Sequence, residues 1–339
     1  MASRGSMFRY AEADCDVHDR SRLKGFRSKL EEWWYLMSHD EASIAQQFGE
    51  MMWQDLAWRT ANEARQYADK DGNNAAVAPL LAMMLDRGYV SGQVIAITRL
   101  LEFSDPKHPK KGVISLRRLV DDVQASRNLI TREVFVAHDA LPYEWEALQK
   151  AEFDRISERA AADPDKVAVT HFSTTGPDGF DGARQQHELF DLLAGVSPEH
   201  RSRDDLIAED FFAKLNGLLD DPLLLEIKDL RNKTIAHSAD HFSRSQKILR
   251  TGLSLEEFSR AQFLLFSVYQ TLSVVLLGEW RGSPVPTPQH DMFEYLTAPF
   301  LGEHRLDAMH AFRSAYVAER EEWSSRGYHD VIPRGDGPR

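Results

Sequence analysis

An all-α fold follows from three features of the 339-residue sequence. Apolar residues recur at the three-to-four spacing of one helix face along most of the chain. Helix-start signatures stand where those stretches begin. Turn residues cluster between them, while a strand-like pattern is confined to 131–137. With 42% hydrophobic residues and seven Trp, the chain has ample material for a buried core.

In chain order, Ser28 and Glu31 have capping-box spacing and head an apolar stretch through Ile44, Phe48, Met52 and Leu56 that extends to Tyr67. The Asp-Gly-Asn-Asn turn at 71–74 stops it. Two short helices are expected at 76–87 and 92–103, separated by Gly88 and Gly92, then a loop at 104–112 and a helix from Ser115 to about Arg127. Residues 131–137 are β-branched and aromatic enough for a short strand or extended link. Pro142 heads a helix over 143–161. The Asp-, Gly-, Pro- and Ser-rich stretch 162–203 reads as a surface insertion with one helix near 182–193.

Asp204 or Asp205 then caps a helix to Leu219, and Asp221-Pro222 supplies an N-cap with proline at the first helical position. Ser254 and Glu257 form another capping box, opening an apolar helix over 255–280. The Pro-rich break at 281–288 precedes a last amphipathic helix at about 303–324. Residues 261–278 lack charge but hold Gln262, Ser267, Gln270, Thr271 and Ser273, which favours a bundle core over lipid, so no membrane association is expected. The single Cys15 excludes an intrachain disulfide and fits a reducing, cytoplasmic setting. A formal net charge of −12 argues against nonspecific coating of nucleic acid, though between Leu223 and Arg260 seven Lys/Arg stand against five Asp/Glu. The opening Met-Ala-Ser-Arg-Gly-Ser lacks the apolar core of a secretory signal and resembles a vector scar.

The richest chemistry lies in Arg231-Asn-Lys-Thr-Ile-Ala-His237. Arginine offers phosphate a planar fork of donors and stays charged, and histidine exchanges protons near neutrality. On one continuous helix six residues rotate about 600°, leaving the two side chains roughly 120° apart and about 9 Å along the axis. Either the helix breaks near Asn232 or the groups meet across a two-fold dimer axis. The plainer alternative is a packing role: Ile227, Leu230, Thr234 and His237 share a stripe, and Arg231 has Asp229 and Glu226 nearby.

This segment, read on to Ser238-Ala-Asp240, resembles the Arg-x(4–6)-His motif of the HEPN superfamily, most closely its abortive-infection (AbiU-like) branch. Residues 97–105 and 114–122 resemble the same branch. The resemblance covers 28–281, with 131–203 as an insertion, 1–27 as an N-terminal extension and 282–339 as a C-terminal linker, helix and polar tail. It implies a HEPN-type antiparallel bundle and a cofactor-free, metal-independent endoribonuclease working as a homodimer. It makes Arg231, His237 and Asn232 catalytic, with Lys233 and Thr234 binding substrate. RNA or a nucleotide and an antitoxin are the implied partners, in a toxin–antitoxin or phage-defence setting. A non-catalytic nucleotide- or protein-binding module of the same type is the alternative, since superfamily membership does not establish activity.

Rival patterns are weaker. Arg132 and His138 repeat the six-residue spacing, but Glu133 places an anion where phosphate would lie. His237 and His241 have metal-ligand spacing without a third ligand. The basic loop 107–111 suits a solvated surface, and Trp33, Trp34, Tyr35, Trp53 and Trp58 suit packing more than base stacking.

Overall fold

The computed structural model describes residues 7–71, 79–104, 112–162, 172–235, 252–289, 291–294 and 303–332. Helices dominate, and among the described residues strand pairing is limited to an isolated bridge between Thr131 and Leu206. The α-helices are α1 (Arg20–Trp34), α2 (Ile44–Lys70), α3 (Pro79–Leu100), α4 (Leu116–Ala125), α5 (Arg132–Ala137), α6 (Trp145–Ala162), α7 (Phe180–Ala194), α8 (Glu209–Leu219), α9 (Pro222–Leu230), α10 (Leu255–Leu277) and α11 (Leu306–Val331). Two compact units emerge, one from the described residues of Met1–Trp33 and Asp121–Phe212, the other from those of Trp34–Val120 and Ala213–Arg334.

Several helix ends follow local chemistry. The Asp221 carboxylate accepts from Leu223 N–H at 2.9 Å, so α9 begins at Asp221-Pro222 as expected. Ser254 and Glu257 close a reciprocal capping box on α10, and Gly278 ends it at φ 64°, where a side chain would be strained. Asp71 terminates α2 where the turn was expected.

Others differ. Ser28 lies inside α1, which starts at Arg20 because Asp19 accepts from Arg22 N–H at 2.9 Å. The chain breaks after a wide π turn (Tyr35–His39), and Ser43 caps α2 by accepting from Gln46 N–H. The expected pair of helices at 76–87 and 92–103 is instead one helix, α3, running through both glycines. A helical glycine costs only about 1 kcal/mol. At Gly92 an added Cβ would lie 3.0 Å from the Gln54 side chain, so a small residue lets α2 and α3 approach. The expected strand at 131–137 is the short helix α5, capped by Thr131, whose hydroxyl accepts from Val134 N–H. Asp205 does not start α8, because its carboxylate is engaged by Arg132 at 2.8 Å; α8 begins at Glu209. The last helix runs on to Val331, beyond the expected end.

The first unit packs α5 and α6 against α7. The stretch read as a surface insertion therefore contributes core as well as surface: Phe180, Ala183, His187, Phe190 and Leu193 are all buried. The second unit packs α10 along α11 and sets α3 against α2, α9 and α10. By length and composition α10 is a candidate membrane span, but most of it is buried within the protein. Its Gln262 donates to Gln93 Oε1 at 2.9 Å, and Gln93 donates to the Met51 carbonyl at 3.0 Å. That relay explains why a core helix carries amides. Cys15 is a buried free thiol, its pKa raised by burial.

Candidate functional site

The segment singled out in the sequence follows directly on α9. At Arg231 the helix leaves α geometry, and Arg231–Ile235 forms a single π turn. Such i→i+5 turns insert an extra residue, re-aim the side chains and recur at functional sites. The helix thus does not break at Asn232 but continues as a π turn to Ile235, and His237, which the two arrangements concern, lies outside the described residues. Arg231 retains 28% side-chain exposure and its Nη2 pairs with Glu102 Oε1 at 2.9 Å. That partner, Glu102, lies just past the end of α3. Asn232 is exposed and Lys233 half-buried. The side chain of Thr234 and the whole of His237 lie outside the described residues, as do His241 and the basic loop 107–111.

Beside Glu102 stands a ring that periodicity does not flag. Phe103 is 58% exposed, although phenylalanine ordinarily seeks the core. Lys228 Nζ lies 5.1 Å from its centroid and the Arg117 guanidinium 5.2 Å. Both are within cation–π range. Arg117 is anchored from behind by Asn216 at 3.0 Å and by Asp220. Lys228 stands in the last turn of α9 and Lys233 in the π turn, and neither is in an ion pair among the described residues. The only sequence signal was an aromatic residue at a helix end beside a basic run, and that reads equally well as core.

Two further constellations are concave or charged. In the second unit Asp55 is fully buried and accepts hydrogen bonds from three side chains. Arg59 Nε reaches both its oxygens at 3.0 Å, and the Tyr89 hydroxyl donates at 2.6 Å. Tyr316 donates to the other oxygen, with the Arg320 guanidinium 3.9 Å away. Burial, reinforced by the Asp55 charge, pushes both tyrosine pKa values up, so both phenols stay protonated donors. A cavity of about 320 Å³ opens beside this cluster, with Arg59, Glu63, Phe312 and Arg320 among its walls. The network ties α2, α3 and α11 together, and its geometry is that of a structural clasp.

The second Arg/His pair is equally structural. Arg132 is fully buried, donating to Asp205 at 2.8 Å, Asp191 at 2.7 Å and the His187 carbonyl at 3.2 Å. His138 is tied to the Phe135 carbonyl at 2.9 Å. Glu133 is held by Arg203 at 2.7 Å. The aromatic cluster also packs: Trp33 donates to Asp122, and Trp58 stacks on Tyr89 at 4.2 Å. Among the described residues no group of three or more His, Cys, Asp or Glu has metal-site geometry.

Burial lowers the pKa of His187, whose Nε2 donates to the Tyr143 carbonyl at 3.0 Å, and lowers that of His138 as well. The sign follows from linkage: the unfolded chain takes up a proton near pH 6.5, which the folded imidazole refuses. Stability is therefore full above about pH 6.5 and falls as the pH drops toward and through the lower folded-state value. Urea midpoints measured from about pH 8 to 5 are expected to show this loss, and His187→Gln, whose amide can still donate, to shrink it. An unchanged acid limb in the variant would remove His187 as a cause.

No family model, curated protein or solved structure matches this chain.

Proposed function

We propose that the chain is a metal-independent HEPN-like endoribonuclease that acts as a homodimer, in a toxin or phage-defence setting. The observation that supports this reading is the π turn that begins at Arg231, whose guanidinium is partly open to solvent, with Lys233 two residues on. In this reading His237 exchanges a proton with the ribose 2′-hydroxyl or the leaving 5′-oxygen. Arg231 stabilises the charge that builds on the pentacoordinate phosphorus. Asn232 orients the phosphate or the histidine, and Lys233 and Thr234 add backbone contacts. The products are a 2′,3′-cyclic phosphate and a 5′-hydroxyl.

A specific observation favours a second reading, a non-catalytic module of the same type that binds a nucleotide or protein. Glu102 already occupies Arg231 at 2.9 Å and offsets its charge. Cleavage of single-stranded RNA in EDTA separates the two. A ribonuclease is expected to lose about 10²–10³-fold in rate with Arg231→Ala and to lose activity with His237→Ala. Glu102→Gln, by freeing the guanidinium, is expected to raise it. Wild-type inactivity with retained RNA or nucleotide binding supports the module, and equal rates in wild type, Arg231→Ala and His237→Ala refute the assignment of this site.

A further inference from the structure

We propose that Phe103 is a base-stacking platform, receiving an unpaired nucleobase of single-stranded RNA beside Arg231. The inference deepens the reading above and rests on it for the identity of the ligand class, RNA. The geometry is independent of catalysis. A ring with 58% exposure stands one residue from Glu102, which itself pairs with Arg231 at 2.9 Å. Lys228 and Arg117 lie 5.1 and 5.2 Å from the ring centroid.

Three physical points select this ligand. Every nucleobase has a π face, so one exposed ring can accept any of them without reading its edge. Duplex RNA hides those faces, and single strands splay them out for aromatic side chains. A stacked base also carries phosphates on either side. Lys228, 5.1 Å from the ring centroid and without an ion-pair partner among the described residues, meets that requirement, while Arg117, anchored by Asn216 and Asp220, is already fixed in place. Leu225, exposed three residues before Lys228 on α9, extends the apolar part of the same helix face. An acidic chain of net charge −12 would repel RNA over most of its surface. A local combination of one exposed ring and the two cations beside it, Lys228 and Arg117, fits recognition of one or two nucleotides rather than a long charged track.

The test is fluorescence anisotropy of a labelled single-stranded RNA, with and without one central abasic position, on the full chain carrying His237→Ala to prevent turnover. Phe103→Ala and Phe103→Leu are both expected to weaken binding of the intact RNA by roughly 5- to 100-fold, the range of one lost stack. Phe103→Trp is expected to retain binding and to show quenched indole emission on adding RNA. The exposed position makes all three substitutions compatible with folding, which circular dichroism verifies. Binding by Phe103→Leu equal to that of Phe103 overturns the proposal, because bulk without a π face then suffices; so does an absence of RNA binding by the parent protein. Loss of binding in Phe103→Ala alongside an inert wild-type chain upholds the platform and refutes the nuclease. Cleavage by Phe103→Ala with His237 intact, together with unchanged RNA affinity of Phe103→Ala in the His237→Ala chain, does the reverse.

Discussion

Replacing Asp55 with alanine is expected to destabilise the unit holding α2, α3 and α11 by about 3–5 kcal/mol, the cost of breaking a buried charged network from one side. The substitution leaves the Tyr89 and Tyr316 hydroxyls without an acceptor and Arg59 without its counter-charge, whereas Arg320 keeps Glu319. Asp55→Asn is expected to remain destabilising, because a neutral amide offers one acceptor oxygen to donors that now use two. Tyr316→Phe removes a single hydroxyl and is expected to cost only about 1 kcal/mol. Urea denaturation gives the magnitudes, and amide hydrogen exchange should show α11 opening first. A change below 1 kcal/mol in Asp55→Ala, against the estimate of about 3–5, would mean that the helices hold together through apolar packing alone.

The other large effect concerns Arg132. Exchange for methionine keeps much of the side-chain bulk but strands Asp205 and part of Asp191 around a fully buried position, at an expected cost of about 3–5 kcal/mol. Arg201 still holds Asp191, at 2.6 Å, so Asp205 bears most of the penalty. Adding Asp205→Asn to Arg132→Met is therefore expected to recover part of the stability, and a double-mutant cycle measures the coupling. Arg132→Lys is expected to fail as well, since a single ammonium cannot reproduce a fork directed at two carboxylates. Loss of RNA cleavage with undiminished stability would be the contrary result, and would move the chemistry to the 132–138 pair.

The helix starts that proved legible are those in which a residue satisfies backbone donors within its own turn. Asp221 with Pro222, and Ser254 with Glu257, need no distant partner, so their meaning is complete in four residues. Ser28 and Glu31 have the same spacing inside α1, because Asp19 had already started that helix. The 131–137 stretch looked strand-like from its β-branched and aromatic residues. Backbone hydrogen bonds from Arg132 and Glu133 to the Asp205 and Arg203 carbonyls, with the Thr131 cap, favour one turn of helix instead. Propensity is a weak force beside such tertiary contacts.

The candidate site divides in the same way. Arg231, Asn232 and Lys233 were legible by type, since only a few side chains bind phosphate. Their surroundings were not. Glu102 pairs with Arg231 from far along the chain, and Phe103 reads as a core residue until its exposure is known.

By itself, then, the sequence determined the all-α character, the caps of α9 and α10, the turn ending α2 and the chemical groups at 231–233. These depend on interactions within one or two helical turns. Tertiary structure alone decided that one Arg/His spacing is locked in a buried ion network while the arginine of the other is left partly open, and that Phe103 stands among cations in solvent. Each of those outcomes is set by which distant helix supplies the counter-charge or the cover, and helical periodicity carries no information about that.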